Sequence, residues 1–467
     1  LKRPPTLVIA APRSGEGKTT IALGIMAAAH RRGLRVQGFK VGPDYLDTGY
    51  QALATGRPGR NLDLWMMGRE AVERAVALPE GLADLVVVEG VMGLFDGHRD
   101  GVTPTSTAEV AALLGAPVVL VVDASQAAAS VGALALGFRT YDERVHVAGV
   151  ILNRWAVPRD RRAVEAALDR AGVDVFGYVP ATPEIALPAR HLGLVVADEM
   201  ADEAGQVIER LALLVESHLD IDGLLRLASG DGEGAESSQG QATTQTLSGT
   251  TPPRGRRPRI AVALDAAFAF YYQDNLDALE QAGAVLVPFS PLTSEALPPC
   301  DGLYLGGGYP ELHAQALAGN RALVESIRQA VAAGLPTYAE CGGLLYLCET
   351  LEDLEGALIP LVGVVPGKAV MRGRLQSVGY REGMLAGDCL LGRAGDVLRG
   401  HEFHYSECVI DRARVPGSSP AYLLDGRPEG FVCGDLFASY LHLHFAGCPA
   451  VVDRWLDRCA AHTEGTS

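Results

Sequence analysis

The 467-residue sequence predicts two α/β domains, each built on a parallel sheet flanked by helices and joined by a polar linker. Three observations carry this expectation. At roughly 150 residues per domain, the length corresponds to about two or three domains. Short β-branched runs alternate with Ala- and Leu-rich segments of helical spacing through the first half, and the rhythm restarts in the second half with different turn residues. Between Ala228 and Arg257 the chain turns to Gly, Ser, Thr, Gln and Pro, with too little apolar surface to offset the entropy of ordering it. Residues 1–227, 228–257 and 258–467 therefore read as a first domain, a flexible linker and a second domain.

In order, strands are expected at 7–11, 35–41, 85–89, 117–123 and 147–152, with helices such as 19–31 and 161–171 between them. The second domain opens with a strand at Ile260–Leu264, a helix near 274–282 and strands at Val285–Phe289 and Gly302–Leu305. A helix near 320–333 and a strand at Thr337–Ala339 follow. Hydrophobic residues at 48% and charged residues at 21% exclude wholesale disorder and a fibrous repeat. The net charge of −16 argues against broad binding of nucleic acid or an anionic membrane, while leaving local phosphate pockets allowed. The apolar run at 116–122 stops at Asp123, well short of the roughly 20 residues that cross a bilayer, and Leu1 to Pro5 lead into a strand without a secretory pattern, so a cytoplasmic protein is expected. All eight cysteines follow residue 299 in spacings that match neither a zinc site nor a disulfide framework; reduced thiols are the expectation.

After the first strand, Pro12-Arg13-Ser14-Gly15-Glu16-Gly17-Lys18-Thr19-Thr20 leads into a helix. Gly15 and Gly17 allow backbone N–H groups to approach phosphate, Lys18 reaches the β and γ phosphates, and the hydroxyls of Thr19 and Thr20 suit nucleotide and Mg²⁺. A Gly-rich turn that merely caps a helix is the plain alternative. Two acidic loops, Lys40 to Asp47 and Glu89 to Asp96, end the second and third expected strands, where an open parallel sheet places its ligand crevice. Carboxylates there would repel a triphosphate unless a cation intervened, which implies Mg²⁺ with Thr19, Asp44 and Glu89 as candidate ligands; solvated turn residues are the alternative. Asn153 ends the 147–152 strand, where it reads as an adenine contact or as a turn residue.

The second constellation is Pro336 to Tyr346, a strand, a sharp turn bearing Cys341, and a helix. A thiolate at a helix N-terminus is favoured by the dipole, and small neighbours let a substrate carbonyl approach a backbone N–H. The Gly306-Gly307-Gly308 run ends another strand and offers, with Gly342, an oxyanion and amide-substrate pocket. His442 is the first candidate base, His444 the second, and the His401/His404 pair the third. A lone cysteine is usually a buried hydrophobe, and Cys348, Cys389, Cys433, Cys448 and Cys459 are left in that class.

Together, "GPDYLDTGY", "EGVMGLFDG", "YLGGGYPELHA", "AECGGLLYL", "GHEFHYSE" and "ASYLHLHF" resemble the cobyrinic acid a,c-diamide synthase family over nearly the whole length, from Leu7 to about Cys448. The resemblance implies an N-terminal P-loop domain of dethiobiotin-synthetase type and a C-terminal class I, triad-type glutamine amidotransferase domain with a flavodoxin-like α/β fold. It also implies ATP and L-glutamine as co-substrates, Mg²⁺, and a corrin carboxylate activated as an acyl phosphate. Ammonia released by Cys341 and His442 would pass between the domains. By the same resemblance Asp44, Leu46 and Asp47 line the meeting point of phosphate and substrate carboxylate, Asp44 and Asp47 with catalytic roles. Glu89 and Asp96 support metal and nucleotide, and Arg190 holds a substrate carboxylate. A homodimer is left open.

Three positions depart from the family pattern. Gln51 stands where a His is usual, Pro12 stands where the general P-loop has Gly, and His444 occupies the position of the usual triad Glu, which leaves the third member unassigned and Glu402 as a guess. The same chemistry on hydrogenobyrinic acid or another tetrapyrrole carboxylate is one alternative. A P-loop partition-type switching ATPase is another; it shares "GEGKTT" but has no use for Cys341.

Overall fold

The computed structural model describes residues 3–78, 81–98, 103–126, 128–155, 161–182, 185, 203–230 and 257–462, together with the backbone of 189–190, 193–194, 201–202 and 463–465. The chain divides into two compact units, residues 1–244 and 245–467. No helix among the described residues is long and apolar enough to cross a membrane.

The first unit holds seven strands: β1 (Thr6–Ala10), β2 (Val36–Val41), β3 (Arg60–Leu62), β4 (Leu85–Glu89), β5 (Val118–Asp123), β6 (Val147–Trp155) and β7 (Asp174–Pro180). They form one parallel sheet in the order β3-β2-β4-β1-β5-β6-β7. β1, β2 and β4 are buried along their whole length, as strands covered by helices on both faces must be. The helix α1 (Lys18–Arg31), with Ile21 to Ala29 buried, packs on one face with the helix Ala201–His218 in a common core. Because β4 lies between β2 and β1, with Glu89 beside both Lys40 and Ile9, the carboxyl ends of all three strands meet in one place.

Two expectations change here. The three-residue β3 carries too little β-branched signal to be read from sequence, so the loop Glu89 to Asp96 follows the fourth strand in chain order and not the third. The segment read as linker from Ala228 begins inside a helix, Ile221–Ser229, closed by Gly230 in a left-handed conformation. At the other end Arg257 is anchored by its guanidinium to the carbonyls of Gly283 and Ala284. The rest of that segment, 231–256, lies outside the described residues.

The second unit has a central sheet in which Arg259–Ala263, Val285–Phe289, Gly302–Leu305, Thr337–Glu340 and Leu436–Ser439 run parallel, with Phe431–Cys433 antiparallel at one edge. Gly302–Leu305 and Leu436–Ser439 flank Thr337–Glu340 on either side. The two smaller sheets that follow Cys348, of four and five strands, were not expected from sequence. Their strands, such as Ser377–Leu385 with Arg381, Glu382 and two glycines, are half exposed and show no clean apolar alternation.

Candidate active site

In the first unit the turn after β1 places Gly15 and Gly17 at positive φ, 87° and 95°, where a glycine costs least. A Cβ on Gly17 would also strike the amide of Asn153, whose Nδ2 donates to the Glu16 carbonyl at 2.9 Å. Asn153 thus holds the phosphate loop against β6. Glu16 is tied in turn to the Asp123 backbone and, at 2.7 Å, to Arg13. Lys18 and Thr19 open α1, and Thr20 stands beside them in its first turn.

Lys18 is 8% exposed and donates to the carbonyls of Met92 at 2.5 Å and Arg13 at 3.4 Å. Met92 reaches this position with a φ of 47°, a conformation that costs a bulky residue about 1–3 kcal/mol. The loop is pinned by Thr107, whose hydroxyl bonds both the amide and the carbonyl of Val91, and by Asp96, which accepts the Gly93 amide at 2.8 Å. Asp96 therefore supports the carbonyl that meets Lys18. Burial and the neighbouring Lys40 hold the Lys18 ammonium below the usual lysine range.

Beside it the Thr19 hydroxyl donates to Glu89 Oε1 at 2.5 Å, and Lys40 donates to the same oxygen at 2.8 Å while pairing with Asp47. Gln51, the residue that replaces the usual His, is fully buried and donates to Glu89 Oε2 at 3.2 Å. It acts here as a positioning group for Glu89. Asp44 gives one oxygen to the amides of Leu46 and Asp47, at 2.8 and 3.0 Å, fixing the entry to the helix Leu46–Thr55. Glu89 is fully buried and its carboxyl is pushed up by desolvation and by Asp47, against the pull of Lys40. Three carboxylates thus gather around two lysines, with a hydroxyl and a carboxylate oxygen of Thr19 and Glu89 in contact. The contact of a hydroxyl with a carboxylate oxygen is the hard-oxygen chemistry that Mg²⁺ takes, while no three His, Cys, Asp or Glu side chains among the described residues are grouped as a metal site. Lys40 is the principal member that motif reading left without a role; its place at the end of β2, between two acidic loops, was the available signal. Arg190 lies in the short pair Ala189–Arg190 and Gly193–Leu194, and its side chain is outside the described residues.

In the second unit Cys341 sits between the strand Thr337–Glu340 and the helix Gly342–Leu347 with φ 46° and ψ −100°, a sharp elbow. Its amide donates to the Ser439 carbonyl at 2.8 Å, and the Gly343 amide donates to the Gly306 carbonyl at 3.0 Å, so both flanking strands grip the turn. His442 follows the next strand and is 2% exposed; its imidazole is hydrogen-bonded to Cys341, and its Nδ1 lies 3.6 Å from Glu340 Oε2. Burial opposes its protonation, but its interactions with Cys341 and with the Glu340 carboxylate prevail and push it up to about 10. A Cβ on Gly307 would come within 2.6 Å of His442 Cε1, which is why that position admits only glycine. The Gly307 amide donates to the Phe270 carbonyl at 3.2 Å, so its part is to let His442 approach, and not to hold an oxyanion as expected. Gly308 and Gly342 lie side by side at the elbow, with the Gly308 nitrogen 3.1 Å from where a Gly342 Cβ would stand.

The other candidate bases are turned elsewhere. His444 is fully buried with Nε2 3.6 Å from Asp274 Oδ2 and its ring 4.8 Å from that of Tyr272. His401 is pushed down to about 3 by burial and by His442, and His404 bonds the Ser406 carbonyl and stacks on Tyr440. Glu402, the guess for a third member, bonds Ser377 at 2.7 Å and Arg381 at 3.2 Å. All eight cysteines are free, and burial pushes Cys300 up to about 11 and Cys448 to about 12, in keeping with inert thiols.

A phosphate loop ringed by carboxylates in one unit and an elbow cysteine bonded to a histidine in the other define a glutamine-hydrolysing, nucleotide-dependent ligase. Residues 7–195 match the CobQ/CobB/MinD/ParA nucleotide binding domain, and residues 259–449 match the CobB/CobQ-like glutamine amidotransferase domain. The chain is 43% identical over 463 residues to a cobyrinate a,c-diamide synthase of Syntrophotalea carbinolica, covering 97% of this chain and 98% of that one. It is 42% identical over 483 residues to a hydrogenobyrinate a,c-diamide synthase of Streptomyces coelicolor, covering 97% of each. A cobyrinate a,c-diamide synthase of Salmonella typhimurium is 40% identical over 462 residues, with 96% and 97% covered. The chain belongs to the family of these a,c-diamide synthases.

Proposed function

We propose that the protein catalyses ATP-dependent, glutamine-hydrolysing amidation of the a and c side-chain carboxylates of cobyrinic acid, in cobalamin biosynthesis, in the cytoplasm. The observation that carries this reading is the pairing of both constellations in one chain whose relatives, matched over about 97% of its length, bear that activity in their names. Its ligands are small molecules, with nucleic acid disfavoured by the charge of −16.

A carboxylate does not take ammonia directly because its oxygen leaves poorly. Its oxygen instead attacks the γ phosphorus of ATP, giving an acyl phosphate and ADP. Lys18 neutralises charge on the transferring phosphoryl group, Lys40 holds Asp47 and Glu89 in place, and Asp44 and Leu46 line the approach of the substrate carboxylate. Thr19 and Glu89, with Asp44 nearby, would hold Mg²⁺, which would supply positive charge against the phosphates. In the second unit the Cys341 sulfur attacks the glutamine amide carbon, the amides of Gly308 and Gly342 receive the oxyanion, and His442 passes its proton to the departing ammonia. Water then hydrolyses the thioester to glutamate. Ammonia attacks the acyl phosphate carbon, phosphate leaves, and loss of a proton gives the amide.

The near-equal identities to cobyrinate and hydrogenobyrinate enzymes favour a second reading, in which the corrin lacks cobalt. Supplying ATP, Mg²⁺ and glutamine with both acids in competition, and following each by mass spectrometry, separates the two. Cobyrinic acid is expected to become the diamide first. Exclusive conversion of the metal-free acid reverses the preference, and ATP hydrolysis without either diamide overturns the amidation reading.

Asp47→Asn halves the anionic partnership of Lys40 and is expected to slow amidation by about 10- to 100-fold, with glutamate release from glutamine unchanged. An equal fall in both rates removes Asp47 from the synthetase site.

A further inference from the structure

We infer that Glu340, the residue immediately before the nucleophile, is the carboxylate that orients His442, so that the acid and the nucleophile of the triad are neighbours in the chain. The inference rests on the reading of Cys341 and His442 as the glutaminase pair.

Strand pleating makes the arrangement possible. In Thr337–Glu340, Tyr338 and Glu340 point to one face and Ala339 to the other. The elbow at Cys341 turns the chain there, and the thiol meets the histidine. Glu340 is 1% exposed and lies in an aromatic layer with Tyr304, Tyr338, Phe437 and Trp455 near by. An ionised carboxylate in such a place is costly unless bonded and paired. Its oxygens accept from Tyr338, from Tyr304 at 3.3 Å and from the Leu443 amide at 3.0 Å. The bond to the Leu443 amide fixes the backbone immediately beyond His442.

The ionisable groups that feel its charge are Tyr271, Tyr304, Tyr338, Tyr422 and Cys448, all pushed up by burial and by neighbouring charge, Glu340 included, and hence neutral. His442, 3.6 Å away at Nδ1, is the basic side chain that faces it. The competing acids are engaged elsewhere: Asp274 with His444, and Glu402 with Arg381 and Ser377. Glu429 accepts from Ser439 and the Tyr440 amide and shapes the corner before His442 without reaching its ring nitrogen in any bond described. Glu340 is therefore a positioning residue, holding the Nδ1 proton so that Nε2 faces the thiol.

The test compares Glu340→Gln and Glu340→Asp with Cys341→Ala and His442→Ala in the full-length chain. Glu340→Gln is expected to lower kcat for glutamate release by about 100-fold with little change in KM for glutamine. Because the carboxylate favours the imidazolium, its loss moves the alkaline limb of the pH profile downward. Cys341 alkylation by iodoacetamide, followed against pH, shifts with it. Glu340→Asp keeps the charge at a greater distance and falls between wild type and the Gln variant. Amidation supplied with ammonium salt reports on the fold.

Glutaminase within about threefold of wild type, with the alkaline limb in place, overturns the inference. So does a matching loss of the ammonia-supplied reaction, which assigns Glu340 a structural part only. Should the Gln variant fail to fold, the Asp variant decides: a wild-type rate with an unshifted alkylation profile rejects the inference, and an intermediate rate with a shifted profile supports it. If His442→Ala or Cys341→Ala retains glutaminase, the underlying pair is wrong, a distinct outcome.

Discussion

Cys341→Ala is expected to abolish glutamine-dependent amide formation, by at least about 10³-fold, while ammonium salt still supports it. The substitution removes one sulfur atom from a site that is 6% exposed and leaves intact the amide bond to Ser439 that holds the elbow. Alanine adopts the positive φ of this position no worse than cysteine does, so the strain is unchanged. The loss is chemical: without the thiol there is no thioester, and His442 has no proton to relay. Ammonia from solution bypasses the step because the acyl phosphate is made by other residues. Glutamate release and amide product, measured in parallel with each nitrogen source, check this. Loss of both reactions makes the thiol structural, and retention of the glutamine reaction names another nucleophile.

Both constellations were legible because each is written in a few consecutive residues. A strand, a glycine turn and a helix suffice to place Lys18 and Thr19 at one strand end and Cys341 at another, whatever the rest of the chain does. The sheets were legible for a related reason: buried parallel strands such as Val118–Asp123 are almost continuously apolar. Strands of three residues, and the half-exposed ones after Cys348, lack that signature.

Contacts made by strand adjacency were not legible. Lys40 meets Glu89 because β2 pairs with β4, and Glu340 meets His442 because Thr337–Glu340 pairs with Leu436–Ser439; neither relation has a spacing in the sequence. Glu402 is a guess that the sequence allows for the third member, whereas pleating and pairing bring Glu340 within 3.6 Å of His442. Likewise the glycine run was rightly placed beside the nucleophile, but which amides remain available depends on the bridge between Gly307 and Phe270, a contact between loops.

Lys18→Ala is expected to remove ATP-dependent amidation by at least about 10³-fold with either nitrogen source, while glutamate release from glutamine persists. The ammonium is held by the Met92 and Arg13 carbonyls at the start of α1, and a helix N-terminus is the kind of place that suits a phosphate. Removing the ammonium leaves transferring negative charge facing Glu89, Asp47 and Asp44, with Lys40 the remaining lysine beside them. The fold should tolerate the change. Burial and Lys40 depress the Lys18 pKa, so its charged form is disfavoured on folding; stability is diminished below the unfolded pKa and not supplied by it. Lys18→Arg keeps the charge but presents a wide planar fork in place of a compact ammonium between two carbonyls, and restores little activity. The check is ADP and amide formation alongside glutamate release. Amidation by the alanine variant at near wild-type rate would remove the phosphate-loop assignment, and a glutaminase rate lost together with it would mean that the two half-reactions are not separable at this residue.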